Sequence, residues 1–194
     1  MSYKIIKKQS LSLINELNHI NNPEVKKLIK IKNIIKRNIL SKNKIMMCGN
    51  GGSSAQASHF STELVVRFKK KFERKAYNSI CLSSDPSLLT AIGNDYGFEK
   101  IFSRQIEGIS SNRDLLIIFT TSGNSKNLIE AIKAAKRKKV EIISFTGNDG
   151  GKVKKITKYN YNINSSDTAR IQEIHLFLIH LIIEIIEIDF RKNN

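Results

Sequence analysis

The chain has 194 residues, of which 40% are hydrophobic, and a formal net charge of +16. This length and apolar content suit one hydrophobic core, so we expect a single domain, with N-terminal helices in residues 1–41 and an α/β core in 42–190. The positive charge comes mostly from lysine and the chain has no tryptophan, whereas specific nucleic-acid sites depend on arginine and aromatic stacking. We therefore expect a lysine-rich surface that attracts anions and no nucleic-acid partner.

Nothing in the sequence indicates export or a membrane partner. Residues 1–13 lack the apolar stretch and the small-residue cleavage site of a secretory signal. The most apolar run, 174–190, is interrupted by His, Glu and Asp, which is typical of a buried amphipathic helix and not of a membrane span. Cys48 and Cys81 fall in separate short apolar runs and are predicted to be buried free thiols. We expect a cytoplasmic protein.

Two helices are predicted at the start of the chain. Residues 3–20 have apolar positions at helical spacing, and Asn22-Pro23-Glu24 then has the pattern of a cap, a first-turn proline and a first-turn acid. The second helix extends to about Leu40. The apolar faces of both helices need a partner, which is either the rest of the domain or a second subunit.

Short apolar runs and helical segments alternate over the rest of the chain. Strands are predicted at 44–48, 77–82, 114–119, 140–145 and 158–163, with helices at about 52–67, at 125–137 and from 168 onwards. This alternation predicts an α/β fold with a five-stranded parallel sheet covered on both faces. Ligands of such sheets bind beyond the carboxyl ends of the strands, where the polar loops of this sequence lie.

Two of these loops are candidate anion sites. The first is Gly49-Asn50-Gly51-Gly52-Ser53-Ser54, which equally fits a tight turn without a ligand. The second is Thr120-Thr121-Ser122-Gly123-Asn124-Ser125, which places four hydroxyls at the start of a helix. Capping by Ser125 needs only one hydroxyl, so the second loop favours a phosphate site.

Two helices carry candidate catalytic or metal-binding side chains. His59 and Glu63 are four residues apart and lie on one helix face, which suits a metal, an acid–base pair or a structural hydrogen bond. In the last helix Gln172 and His180 lie two turns apart on one side, and at least one of them is expected to face a site. His175 is predicted to be a core residue or a subunit contact.

These features in this order resemble the sugar isomerase (SIS) domain family, and within it the phosphoheptose isomerases. The resemblance covers about residues 40–185 and rests on CGNGGSSAQASHFSTELVVRF, LTAIGNDYGFEKIFSRQIEG, TTSGNSKNLIEAIKAAK, FTGNDGG and DTARIQEIHLFLIH. It implies a three-layer, flavodoxin-like sandwich preceded by two N-terminal helices. It also implies one zinc ion per subunit and a homotetramer with sites at the subunit interfaces.

The resemblance further implies which residues form the site. The expected metal ligands are His59, Glu63, Gln172 and His180. The expected substrate contacts are Asn50, Gly51, Gly52, Ser53, Glu63, Asn94, Asp95, Thr120, Thr121, Ser122, Ser125 and Gln172.

The implied reaction is an aldose–ketose isomerisation that converts sedoheptulose 7-phosphate to D-glycero-D-manno-heptose 7-phosphate for bacterial heptose biosynthesis. It proceeds through an enediolate, for which we expect Glu63 to be the base and His180 the acid or oxygen-proton relay. The alternative is a non-catalytic SIS-domain binding protein resembling the DnaA initiator-associating protein. Members of that kind lose the carboxylate and imidazole that Glu63 and His180 supply here.

Overall fold

The computed structural model describes residues 1–191, and within them it contains one five-stranded sheet whose strands are all parallel. The strands are β1 (Ile45–Cys48), β2 (Ser79–Cys81), β3 (Leu115–Phe119), β4 (Glu141–Gly147) and β5 (Tyr159–Ile163). Their order in the sheet is β2-β1-β3-β4-β5, which is the flavodoxin-like order of doubly wound sheets. The predicted fold class is therefore confirmed, and each predicted strand lies within about three residues of its observed bounds.

Helices surround this sheet and precede it. They are α1 (Ser2–Asn18), α2 (Asn22–Leu40), α3 (Gly52–Val65), α4 (Pro86–Tyr96), α5 (Ser103–Ile109), α6 (Lys126–Arg137), α7 (Gly151–Ile156) and α8 (Thr168–Arg191), with a 3₁₀ turn at Phe98–Lys100. The two N-terminal helices are confirmed, but the predicted cap at Asn22 is wrong by one residue. Asn21 caps α2, because its side chain accepts a hydrogen bond from the Glu24 amide, and Asn22 is already helical. Helices α4, α5 and α7 were not predicted.

The strands alternate between two hydrophobic cores because successive side chains point to opposite faces of a sheet. Ile45 and Met47 of β1 face the core formed with α2, α3 and α8. Met46 and Cys48 face the second core, which α4, α5, α6 and α7 cover. Helices α3 and α8 therefore lie on one face, and the helix that follows β3 lies on the other.

The cysteines are free and buried, as predicted. Burial raises the pKa of the Cys48 thiol far above its ordinary value, so this side chain stays protonated and behaves as a small apolar group. Among the described helices none is long and apolar enough to cross a membrane.

Candidate active site

The loop after β3, residues 120–125, forms a compact turn that we call the hydroxyl loop. Thr120 Oγ1 accepts a hydrogen bond from the Gly123 amide at 3.1 Å, and Ser122 Oγ accepts one from the Asn124 amide at 3.3 Å. Ser125 is the N-cap residue of α6 but its side chain makes no capping hydrogen bond. The hydroxyls of Thr120 and Ser122 thus shape the loop, whereas that of Ser125 does not cap α6, and its predicted role in binding an anion stays a prediction.

A second segment, residues 147–153, contacts the hydroxyl loop through its backbone. Gly123 has φ +65°, and a Cβ added to it would lie 2.0 Å from the Gly150 carbonyl oxygen. The Val153 amide donates to the Gly123 carbonyl at 2.9 Å, and the Lys152 amide donates to Asn124 Oδ1 at 3.2 Å. Only glycine fits this close backbone approach at residue 123. The same holds for Gly151, where an added Cβ would lie 2.5 Å from the Ser122 carbonyl oxygen.

The glycine loop, residues 49–54, packs against the start of α8. A Cβ added to Gly52 would lie 2.5 Å from the side-chain amide of Gln172, so glycine is what allows Gln172 to lie over the first turn of α3. Gln56 donates from Nε2 to the backbone carbonyl of Gln172. Gly51 has φ +53° and is exposed, whereas Ser53 is buried and its amide bonds to the Asn50 carbonyl.

A reciprocal pair of side-chain amides joins the glycine loop to the first turn of α6, which follows the hydroxyl loop. Asn50 Nδ2 donates to Asn127 Oδ1 at 3.0 Å, and Asn127 Nδ2 donates to Asn50 Oδ1 at 2.8 Å. Asn127 is only 2% exposed and lies in the first turn of α6. Sequence reasoning did not identify Asn127, because a polar residue in a first helical turn carries no signal of a partner 77 residues away.

On the other face of the sheet, α3 and α8 bring together a group that we call the acid–base cluster: His59, Glu63 and His180. The Nε2 atoms of the two histidines are 2.9 Å apart, and His59 Nε2 lies 3.6 Å from Glu63 Oε1. Burial and the neighbouring His59 lower the pKa of His180 below its ordinary value, against the opposing effect of Glu63. The ring of Phe68 lies 5.4 Å from that of His180.

Asn94 and Asp95 are the remaining predicted substrate contacts. They are exposed near the end of α4, and Asn94 Nδ2 donates to Asp95 Oδ1 at 2.8 Å. Neither side chain hydrogen-bonds to another predicted site residue within residues 1–191. Their role in a site stays a prediction.

His175 is a core residue, one of the two predicted alternatives. It is fully buried between the rings of Phe119 and Phe145, and its Nε2 lies 3.3 Å from the Thr146 carbonyl oxygen. Burial lowers its pKa to about 4, so the imidazole is neutral at physiological pH.

The acid–base cluster fits zinc in its chemistry but does not form a closed metal site. Within residues 1–191 no group of three or more His, Cys, Asp and Glu side chains is arranged to hold a metal ion. The 2.9 Å between His59 and His180 Nε2 is nevertheless close to the roughly 3.3 Å that two imidazole ligands of one tetrahedral zinc ion take. Gln172, the fourth expected ligand, lies against Gly52. The donor types therefore suit zinc, and zinc binding stays a prediction.

Fold and site together define the class of protein. A sequence model of the SIS domain family matches residues 11–147, which is more than half of the chain. The chain therefore belongs to the SIS domain family, as the resemblance of its motifs predicted.

Within that family the chain is similar to phosphoheptose isomerases. The phosphoheptose isomerase of Campylobacter concisus is 49% identical over 148 residues, which cover 76% of this chain and 77% of that protein. That of Helicobacter pylori strain P12 is 46% identical over 154 residues, or 79% of each chain.

Solved structures show the same likeness. A phosphoheptose isomerase from Francisella tularensis has a TM-score of 0.91 at 28% identity, covering 96% of this chain and 98% of that one. One from Neisseria gonorrhoeae has a TM-score of 0.89 at 34% identity, covering 96% and 99%. These relatives confirm the resemblance and the predicted enzyme class, a sugar-phosphate isomerase.

Proposed function

We propose that this chain interconverts sedoheptulose 7-phosphate and D-glycero-D-manno-heptose 7-phosphate, a step of bacterial heptose biosynthesis. The observation that supports this most strongly is the convergence of Glu63, His59 and His180 from two helices in a chain that also carries the hydroxyl loop. A carboxylate beside imidazoles suits proton transfer at a carbon next to a carbonyl. The alternative binding-protein function has no comparable observation in its favour.

The hydroxyl loop binds the phosphate of the sugar. The first amides of α6, the free Ser125 hydroxyl and the helix dipole suit a phosphate monoester, and the net charge of +16 favours its approach. Thr121 offers a second hydroxyl, which makes no hydrogen bond within the described chain. Anchoring the phosphate far from the reacting carbons would orient C1 and C2 toward the acid–base groups.

Glu63 and His180 move the two protons of the isomerisation. Glu63 takes a proton from C1 of the ketose, its carboxylic acid exchanges with solvent, and it then delivers a proton to C2, while His180 carries the hydroxyl proton from O1 to O2. Burial and the neighbouring His59 lower the pKa of His180, which favours the neutral imidazole, the form that can accept the O1 proton and deliver it to O2. The sum of these transfers converts the C2 ketone to the C1 aldehyde with no net change in protons.

His59, Glu63, Gln172 and His180 would hold a zinc ion, one per subunit. Zinc bound there would supply a Lewis acid for the carbonyl and positive charge for the oxyanion. Neutral imidazole is the form of histidine that binds zinc, and the lowered pKa of His180 is consistent with that role.

The chain acts as a cytoplasmic homotetramer with sites at the subunit interfaces. Helix α1 has no buried residue and exposes Tyr3, Ile6 and Leu11, so an apolar face is available for another subunit.

The test is to incubate the purified protein with sedoheptulose 7-phosphate, after treatment with a chelator and again after adding zinc, and to follow aldose formation. Conversion that stops with the chelator and returns with zinc supports both reaction and cofactor. Conversion that is insensitive to the chelator removes zinc from the proposal. A folded protein that converts nothing under any condition contradicts the isomerase function.

A further inference from the structure

An ion pair is buried beside the acid–base cluster. Arg74 Nε donates to Glu187 Oε1 at 3.0 Å, and the two side chains are only 6% and 3% exposed. Removing two charges from water is costly, and an apolar pair of similar volume often stabilises a fold as well or better. The burial of this ion pair is therefore not explained by the attraction between its charges alone. The other hydrogen bonds of the two side chains indicate a second role.

Glu187 holds the segment that follows α3. Its carboxylate accepts hydrogen bonds from the backbone amides of Phe68 at 2.9 Å and Lys69 at 3.2 Å. Glu187 lies on α8 two turns after His180, on the same side of the helix. The two backbone bonds thus fix Phe68 where its ring meets that of His180.

Arg74 holds the end of α3. Its guanidinium donates to the carbonyl oxygens of Glu63 at 2.6 Å and Leu64 at 2.9 Å, and it stacks 4.0 Å from the centre of the Tyr77 ring. These carbonyls are in the last turn of α3, where helix carbonyls lack intrahelical partners and a cation is favourable. Arg74 thus binds the backbone of Glu63 itself.

We propose that Arg74 and Glu187 are positioning residues that fix Glu63 and His180 relative to each other. One end of the ion pair is bonded to the Glu63 backbone, and the other belongs to the helix that carries His180. Directional hydrogen bonds of two charged groups set this geometry in a way that apolar contacts do not. The inference rests on the proposed function, since it assigns a purpose to the spacing of Glu63 and His180.

The test separates positioning from stability by replacing the pair with apolar side chains. In the double variant Arg74→Met/Glu187→Leu no charge is left unpaired, but the backbone groups that the pair binds lose their partners. We therefore expect a folded protein with a lowered melting temperature, and kcat and KM are measured well below that temperature. We expect kcat to fall about 100-fold, as for a small displacement of catalytic groups. KM should stay within about threefold, because none of the hydrogen bonds of the pair reaches the hydroxyl loop.

Two further variants control the interpretation. Glu187→Gln keeps an oxygen acceptor for the segment at Phe68 and should retain more of kcat than the double variant. Lys32→Met removes another partly buried ion-pair partner of α8, at 2.9 Å from Asp189, without touching the segment after α3. Asp189 keeps Lys36, so this variant should have normal kcat and KM.

A second readout is independent of activity. In the unsubstituted protein the ring current of Phe68 should shift the NMR signals of the His180 imidazole, and the Phe68 and Lys69 amides should be protected from hydrogen exchange. The double variant should lose both signatures. A folded double variant with normal kcat, or with the His180 shift and both amides unchanged, would overturn the proposal. If the unsubstituted protein proves inactive, the proposed function fails, and the NMR readout alone decides whether the ion pair sets the His180 geometry.

Discussion

The hydroxyl loop and the acid–base cluster are held in two different ways. The hydroxyl loop is shaped by its own hydroxyls and by backbone contacts with residues 147–153. The acid–base cluster depends on side chains of α3 and α8, and its two histidines are 121 residues apart in the chain. A short motif can therefore specify the first region, whereas the second exists only once the whole core has packed.

Because the two regions are held differently, we expect substitutions in them to change different quantities. Changes in the hydroxyl loop should act on phosphate affinity and on local backbone strain. Changes in the acid–base cluster should act on turnover, with little effect on the affinity for the phosphate. The following predictions test that separation.

Glu63→Gln should have the largest effect, a fall in kcat of about 1,000-fold, because the amide cannot take the proton from C1. KM should change little, since the phosphate contacts remain. Steady-state kinetics measure both values, and circular dichroism with a thermal melt verifies the fold. A folded variant with near-normal kcat would remove Glu63 from the role of base.

Gly123→Ala should raise KM at least about tenfold and lower stability by about 2–4 kcal/mol. Its φ of +65° is unfavourable for alanine, and the new Cβ would lie 2.0 Å from the Gly150 carbonyl oxygen. The matched control is Gly108→Ala in α5, where an added Cβ meets nothing within 4 Å. If both variants melt and bind alike, the hydroxyl loop does not depend on this contact.

His175→Leu should make the protein less sensitive to acid. The pKa of His175 in the folded protein is about 4, below its ordinary 6.5, so the unfolded chain takes up the proton first. Stability from this group is full above pH 6.5 and falls by at most about 3 kcal/mol as the pH drops to 4. Denaturant unfolding between pH 7 and 4 measures the dependence of the free energy of unfolding on pH. Equal slopes for His175→Leu and the unsubstituted protein would contradict the account.

Ser125→Ala should have the smallest effect, a rise in KM of about tenfold with the melting temperature unchanged. Its hydroxyl makes no capping hydrogen bond, so only a bond to the charged phosphate is lost. Asn21→Ala is the matched control, because Asn21 does cap α2. That variant should lose about 1 kcal/mol of stability at an unchanged KM. The reverse pattern would make Ser125 a cap and not a ligand.

The same contrast explains how much could be predicted from the sequence. Buried parallel strands are apolar runs, so β1 and β3 and the loops after them were evident. Helix α5 has seven residues and α7 six, too few for a periodic pattern, and the Asp85-Pro86 start of α4 was overlooked.

The site was only partly predictable for a related reason. The types and spacing of His59 and Glu63 indicated chemistry, but their meeting with His180 followed from the resemblance alone. Asn127 and Arg74 were missed because each acts through a partner distant in sequence, and no local pattern encodes such a contact.

The central claim is that the acid–base cluster moves a carbon-bound proton of a sugar phosphate. The most direct measurement is to incubate sedoheptulose 7-phosphate with the protein in D₂O and to follow the sugar by NMR. The account predicts aldose carrying deuterium at C2 and exchange of one C1 proton of the ketose, because the enediol exchanges through Glu63 with solvent. Aldose and recovered ketose that both stay free of deuterium over many turnovers would mean that the hydrogen moves without an exchangeable carboxylic acid at Glu63, and no aldose at all would mean no isomerase. Either result would contradict the account.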